Sequence, residues 1–145
     1  MSGFVCVDAS VAAKWVLPED DSELALELFS ESLATDTTLI APPHMPVEVV
    51  NAIGRRVARG LITQAEAEEI LATFLGFAVD LAVPAGLYEE ALKLAGRFER
   101  PAVYDMHYVA LAEIVGCELW TADQNLLNAL RDRLPFVKPL RTYRP

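Results

Sequence analysis

"FVCVDAS", Phe4–Ser10, ends four apolar residues in a carboxylate, and that junction decides how the rest of the chain is read. A short apolar run without polar alternation fits a strand covered on both faces, as in a parallel sheet. A carboxylate at a buried strand end is costly unless something positive meets it. Ser10 is the natural cap of the helix that follows, so capping leaves Asp8 unexplained.

Outward from Val7, strand signals alternate with helical ones. A short helix stops at Pro18, and Asp20 or Asp21 caps a second helix with Leu24, Leu28, Phe29 and Leu33 on one side. Leu39–Ala41 reads as a strand ended by Pro42 and Pro43. Pro46 opens a helix that runs to Gly60. Thr63 and Glu66 form a capping box for a helix through about Phe77, and Leu81–Val83 reads as a third strand. Helices from about Tyr88 to Phe98 and from about Tyr104 to Val115 follow, the second closed by Gly116. Glu118–Thr121 is a fourth strand, Leu126, Leu127 and Leu130 mark a helix, and Phe136–Val137 a fifth strand. The pattern predicts one α/β domain over residues 1–145, with a central parallel sheet of four to five strands and helices on both faces.

Composition narrows the function classes. The chain has 145 residues, 53% of them hydrophobic, and a formal charge of -9. No uninterrupted apolar run reaches the roughly 18 residues of a membrane span, and the N-terminus lacks the basic flank and cleavage site of a secretory signal. We expect a cytoplasmic protein. Cys6 and Cys117 are in no metal-like spacing and read as inert buried thiols. The negative charge argues against a general nucleic-acid surface, because phosphate binding needs Lys and Arg.

In a parallel sheet every strand ends along one edge, where such folds bind ligands. Four acids fall on that edge: Asp8 after the first strand, Glu48 in "PVEVVNAI", Asp105 in "VYDMHYVALAE" and Asp123 in "LWTADQNLL". Taken singly, Asp105 and Asp123 are good N-caps and Glu48 suits a first helical turn. Together they repel one another unless some protonate or a cation sits among them. Oxygen-only ligands select a hard ion such as Mg²⁺ or Mn²⁺, and such a site most often does phosphate chemistry. Ser10, Asn51 and Thr121 are placed to support the acids. His44 and His107 read as surface or core histidines, and Trp15 and Trp120 as core.

"VDASVAAKWVLPEDD", "PVEVVNAI", "YDMHYVALAE" and "TADQNLL" resemble, in order, the motifs of the PIN-domain family, and specifically of VapC-type toxins of bacterial toxin-antitoxin pairs. The similarity runs from Phe4 to about Val137. It implies a PIN-like fold, Mg²⁺-dependent endoribonuclease activity, a homodimer and a small antitoxin partner; the acidic groove itself leads us to expect that this partner inserts a basic segment there. Asp8, Glu48, Asp105 and Asp123 match the family's acidic active-site residues, and Ser10, Asn51 and Thr121 match polar residues that often accompany them. His107 stands where the family varies and is given no catalytic role.

The resulting expectation is a metal-dependent ribonuclease. Asp8, Asp105 and Asp123 hold Mg²⁺ directly or through water, and Glu48 orients the attacking water or helps hold a second ion. Lys14, Arg55, Arg56 and Arg59, with Arg97 and Arg100, guide the RNA backbone. Two other classes are open: a non-catalytic module whose acidic groove receives a basic peptide, and a Mg-dependent phosphoacceptor domain. The latter needs paired acids after the first strand, where Asp8 stands alone.

Overall fold

A computed structural model describes residues 3–145. Strand β1 (Gly3–Val7) is followed by helices α1 (Ala9–Ala12) and α2 (Ser22–Ala34), then by β2 (Thr37–Ala41). Helices α3 (Met45–Ala58) and α4 (Gln64–Phe74) lead to β3 (Asp80–Leu81). Helices α5 (Leu87–Arg97) and α6 (Met106–Val115) precede β4 (Glu118–Thr121), α7 (Gln124–Leu130) and β5 (Val137–Pro139). All strand pairs are parallel, in the order β3-β2-β1-β4-β5. The order reverses at β1, so right-handed crossovers place the helices of the two halves on opposite faces of the sheet. The same reversal opens a crevice between the C-terminal ends of β1 and β4, the place where doubly wound sheets bind ligands.

Local sequence explains some element ends directly. The Thr63 hydroxyl accepts from Glu66 N–H at 3.1 Å while Glu66 Oε1 accepts from Thr63 N–H at 2.9 Å, the expected capping box. Gly116 closes α6 at φ 80°, in the left-handed region that glycine enters without strain. Helix α6 is the central helix of the core, with Met106, Tyr108, Val109, Ala110, Leu111 and Ala112 all buried.

Several expected boundaries differ for physical reasons. Helix α4 stops at Phe74 rather than Phe77, because two tight turns redirect the chain and bring Phe77 to stack on Trp15, centroids 5.0 Å apart. Trp15 also meets Phe29 and donates Nε1–H to Ala25 O at 3.0 Å, so it is core as expected. Helix α3 ends at Ala58, with Gly60 just beyond it at φ 70°. The third strand is Asp80–Leu81 instead of Leu81–Val83: it lies on the sheet edge, pairing with Ile40 and Ala41 alone. The fifth strand is Val137–Pro139, one register later than Phe136–Val137, set by its ladder with Leu119, Trp120 and Thr121. Phe4 is exposed, so β1 is covered on both faces only at Cys6 and Val7. Among the described residues no helix is long and apolar enough to cross a membrane.

Candidate active site

Asp8, Glu48, Asp105 and Asp123 all line one cavity of about 370 Å³, together with Ser10 and Asn51. Strand ends and helix starts bring them there. Asp8 leaves β1, Asp123 leaves β4, Glu48 is in the first turn of α3, and Asp105 precedes α6. The cavity therefore occupies the crevice where the strand order reverses.

Asp8 is buried, and it is the N-cap of α1, accepting from Val11 N–H at 3.2 Å. The cap is thus Asp8 and not Ser10, since the carboxylate leaving the strand already faces the first helical N–H groups. Ser10 instead donates its hydroxyl proton to Asp8 Oδ1, and Thr121 donates its own to Oδ2. Each hydroxyl also accepts a backbone N–H of the turn after β4: Ser10 from Ala122 at 2.8 Å, and Thr121 from Asp123 at 3.0 Å. A hydroxyl has one proton. With N–H groups pointing at them, both must direct that proton to Asp8, and the network favours the carboxylate anion.

Burial works against the network and pushes the Asp8 carboxyl up to about 6; the Ser10, Thr121 and Val11 bonds lower it, and the Asp123 charge raises it further. The site therefore holds an anion at neutral pH at a cost, as expected where a cation completes it. Thr121→Val keeps the shape, removes one donor and leaves Asp123 N–H without its acceptor. We expect a loss of about 1–3 kcal/mol, read by urea denaturation at pH 7; an unchanged midpoint would show that the hydroxyl carries none of this load.

The other acids are each held by one oxygen. Asp123 Oδ1 caps α7, accepting from Asn125 N–H at 2.9 Å and Leu126 N–H at 3.2 Å. Glu48 Oε1 accepts from the Tyr108 hydroxyl at 2.6 Å and is 3.3 Å from His44 Nε2. Burial, then the Glu48 contact, raises the Tyr108 hydroxyl far above its ordinary range, so it remains a donor. Asp105 occupies the N-cap position of α6 without making a capping bond; its Oδ2 pairs instead with Arg100. Among the described residues, Asp105 Oδ1 and Arg100 Nε are buried with no hydrogen-bond partner.

Chemically, this is a hard-oxygen donor set with room for a cation. Asp8 receives three donors against about four lone-pair positions, Asp123 and Glu48 each use one oxygen, and Asp105 Oδ1 is an orphaned acceptor. The acids share the cavity, yet among the described residues no three acidic, histidine or cysteine side chains form a ready metal-ligand group. Carboxylates that repel one another turn to local donors instead.

The remaining predicted residues divide. Asn51 is exposed and lines the cavity. Lys14 and Arg55 also line it, but Lys14 and Arg56 both engage Glu19, at 3.5 and 2.9 Å, and Arg59 is exposed beyond the end of α3. Three participants escaped the sequence reading. Tyr108 is three residues after Asp105 and so on its helical face, a signal that was available. Glu19 follows a proline with no periodic cue. Arg100 was singled out only as an RNA guide, since its pairing with Asp105 depends on the α5–α6 turn. His44 Nε2 donates to Tyr104 O at 3.0 Å, and burial lowers the His44 pKa.

Residues 5–131 match the PIN domain family. A ribonuclease of Pyrobaculum aerophilum, VapC3, is 36% identical over 123 residues, covering 83% of this chain and 89% of that protein. The crystal structure of PAE2754 from the same organism superposes with a TM-score of 0.69 at 22% identity, covering 98% of this chain and 94% of that one. Mycobacterium tuberculosis VapC20, a sarcin-ricin loop cleaving toxin, gives a TM-score of 0.63 at 21% identity, over 86% of this chain and 94% of that one. At those identities the two structures speak for the fold.

Proposed function

The chain belongs to the PIN-domain family, with a VapC ribonuclease among its relatives, and from that premise we propose that it is a metal-dependent endoribonuclease, the toxin of a type II toxin-antitoxin pair. The observation that carries this reading is the convergence of Asp8, Glu48, Asp105 and Asp123 on one cavity at the sheet's reversal point. The partnerless Asp105 Oδ1 and the all-oxygen donor set fit Mg²⁺, with Mn²⁺ as a substitute.

Asp8, Asp105 and Asp123 would hold the ion directly or through water. When bound, such an ion activates water and neutralises charge developing on a phosphate. The chain's own residues set the geometry. Ser10 and Thr121 orient Asp8 and keep it deprotonated; Tyr108 fixes Glu48 by one oxygen, so that the other can accept a proton from the attacking water or help hold a second ion. Asn51 and Arg55 stand at the cavity wall to receive the backbone of RNA, beside Lys14, whose charge is shared with Glu19.

An enzyme that cuts its host's RNA has to be held inactive. A small antitoxin carrying an Arg can place it among the four acids, as Arg100 already does with Asp105, and exclude both metal and RNA. Exposed Tyr104 beside Asp105 gives that partner an apolar contact next to the acids. The toxin itself would act as a homodimer in the cytoplasm. The test is sequencing of RNA 5′ ends after brief induction without the partner, paired with cleavage of the same RNA in vitro with and without Mg²⁺. New ends at defined positions that Mg²⁺ reproduces in vitro support the reading. Tight partner binding with no cleavage under either condition leaves an acidic-groove interaction module instead.

A further inference from the structure

Four of the chain's arginines gather in one place outside the acidic site. Arg97, Arg100, Arg131 and Arg133, with the single carboxylate of Glu99, line a second cavity, of about 810 Å³, formed by the α5–α6 turn, α7 and the turn that follows it. In a chain of net charge -9 such a concentration is unexpected. Among the described residues no carboxylate comes within ion-pair distance of Arg97, Arg131 or Arg133, while Arg100 reaches Asp105.

The fold holds these cations in place. The Arg97 and Arg133 guanidinium groups lie over the Phe98 ring, 4.9 and 4.4 Å from its centroid, an arrangement that keeps a guanidinium flat and leaves its N–H edge free. Arg97 is in the last turn of α5 and Arg131 is the C-cap of α7, where the negative ends of the helix dipoles offset repulsion between them. The backbone is also constrained: Glu99, Arg131 and Asp132, none of them glycine, have φ of 53°, 49° and 58°. At Arg131 this is the left-handed C-cap that closes α7 and turns the chain toward Arg133.

The two cavities share a border. Arg100 lines the second and pairs with Asp105 of the first, and Asn125 lines the second while its N–H caps on Asp123 of the first. The acidic and the arginine-lined cavities are therefore neighbours on one face of the molecule.

Resting on the reading of the chain as a ribonuclease, we infer that the cavity of Arg97, Arg100, Arg131 and Arg133 is a phosphate-binding subsite for the backbone of single-stranded RNA flanking the scissile bond. It supplies the positive charge that Lys14 and Arg56, engaged with Glu19, do not offer freely. Phosphate contact here positions the strand without reading its sequence.

The test is binding of a fluorescein-labelled single-stranded oligoribonucleotide of mixed sequence, in EDTA so that it is not cut, as a function of salt. Each phosphate contact on a single strand contributes about 0.7 to the slope of log K against log salt. Arg97→Gln combined with Arg133→Gln should make that slope shallower by about 1.4, and Arg131→Gln with Arg133→Gln should do the same. Arg97→Lys with Arg133→Lys should keep most of it. Lys93→Gln, on the exposed side of α5, should leave it unchanged. All the replaced residues are exposed, and melting temperatures check that the variants stay folded. An unchanged slope in both Gln pairs, or an equal change in Lys93→Gln, overturns the subsite. So does an unchanged slope accompanied by lost affinity for an acidic peptide, which would make the cavity a protein-docking surface. An arginine-dependent slope in a wild-type protein that cuts no RNA with Mg²⁺ keeps the subsite and overturns the nuclease reading alone.

Discussion

Asp8→Asn should lower Mg²⁺-dependent RNA cleavage by on the order of 10³-fold or more, beyond the roughly 10–100-fold typical of residues that only support a metal ligand. The amide keeps the shape of the carboxylate and removes its charge. It also introduces an N–H₂ group facing Ser10 or Thr121, whose hydroxyls already receive backbone N–H groups. One hydroxyl must then reverse, at about 1 kcal/mol, which relief of a buried charge offsets. The variant is therefore expected to be folded and at least as stable as the wild type at pH 7, so lost cleavage reports chemistry. Asp123→Asn keeps a residue that caps well, and Asp105→Asn frees Arg100; both should abolish cleavage as well. Wild-type cleavage by any of the three, on protein shown to be folded by circular dichroism, removes that residue from the site.

The contribution of Asp8 to stability should fall as pH rises from about 4 to about 6 in metal-free buffer. Its folded-state carboxyl titrates at about 6 against 3.8 for a free one, chiefly through burial. Between those values the folded protein keeps a proton that the unfolded chain has released, so the folded state loses ground as pH increases. At about 1.36 kcal/mol per unit, the gap is worth about 3 kcal/mol. The measurement is the pH dependence of denaturant unfolding for wild type minus that for Asp8→Asn, which cancels the contributions of other groups. Millimolar Mg²⁺ or Mn²⁺ should reverse the trend above pH 6, raising the melting temperature more at pH 7 than at pH 5, because the ion requires the ionised carboxylate. A metal-induced rise equal in Asp8→Asn, or independent of pH, would place the ion elsewhere.

The strand-then-helix order, the capping box at Thr63 and Glu66 and the αL glycine at Gly116 were legible because each rests on residues close together in the chain. The four acids were legible for a related reason. A parallel sheet puts every strand end on one edge, so placing Asp8, Glu48 and Asp123 just after strands and Asp105 at the start of a helix was enough to gather them. What held each acid was less accessible. The sequence offered Ser10 as a cap and Asp8 as the anomaly; the fold makes Asp8 the cap and turns Ser10 and Thr121, 111 residues apart, into its two proton donors.

The chain by itself determined the class of fold, the identity of the acids and the edge on which they meet, since periodicity, caps and strand ends are local properties. Only the tertiary structure decided the strand order β3-β2-β1-β4-β5, and with it the crevice between β1 and β4. It alone joined Arg100 to Asp105, Tyr108 to Glu48, and Arg97 and Arg133 through Phe98. Those partners are set by crossover direction and by the turns between helices, and neither leaves a periodic trace in the sequence.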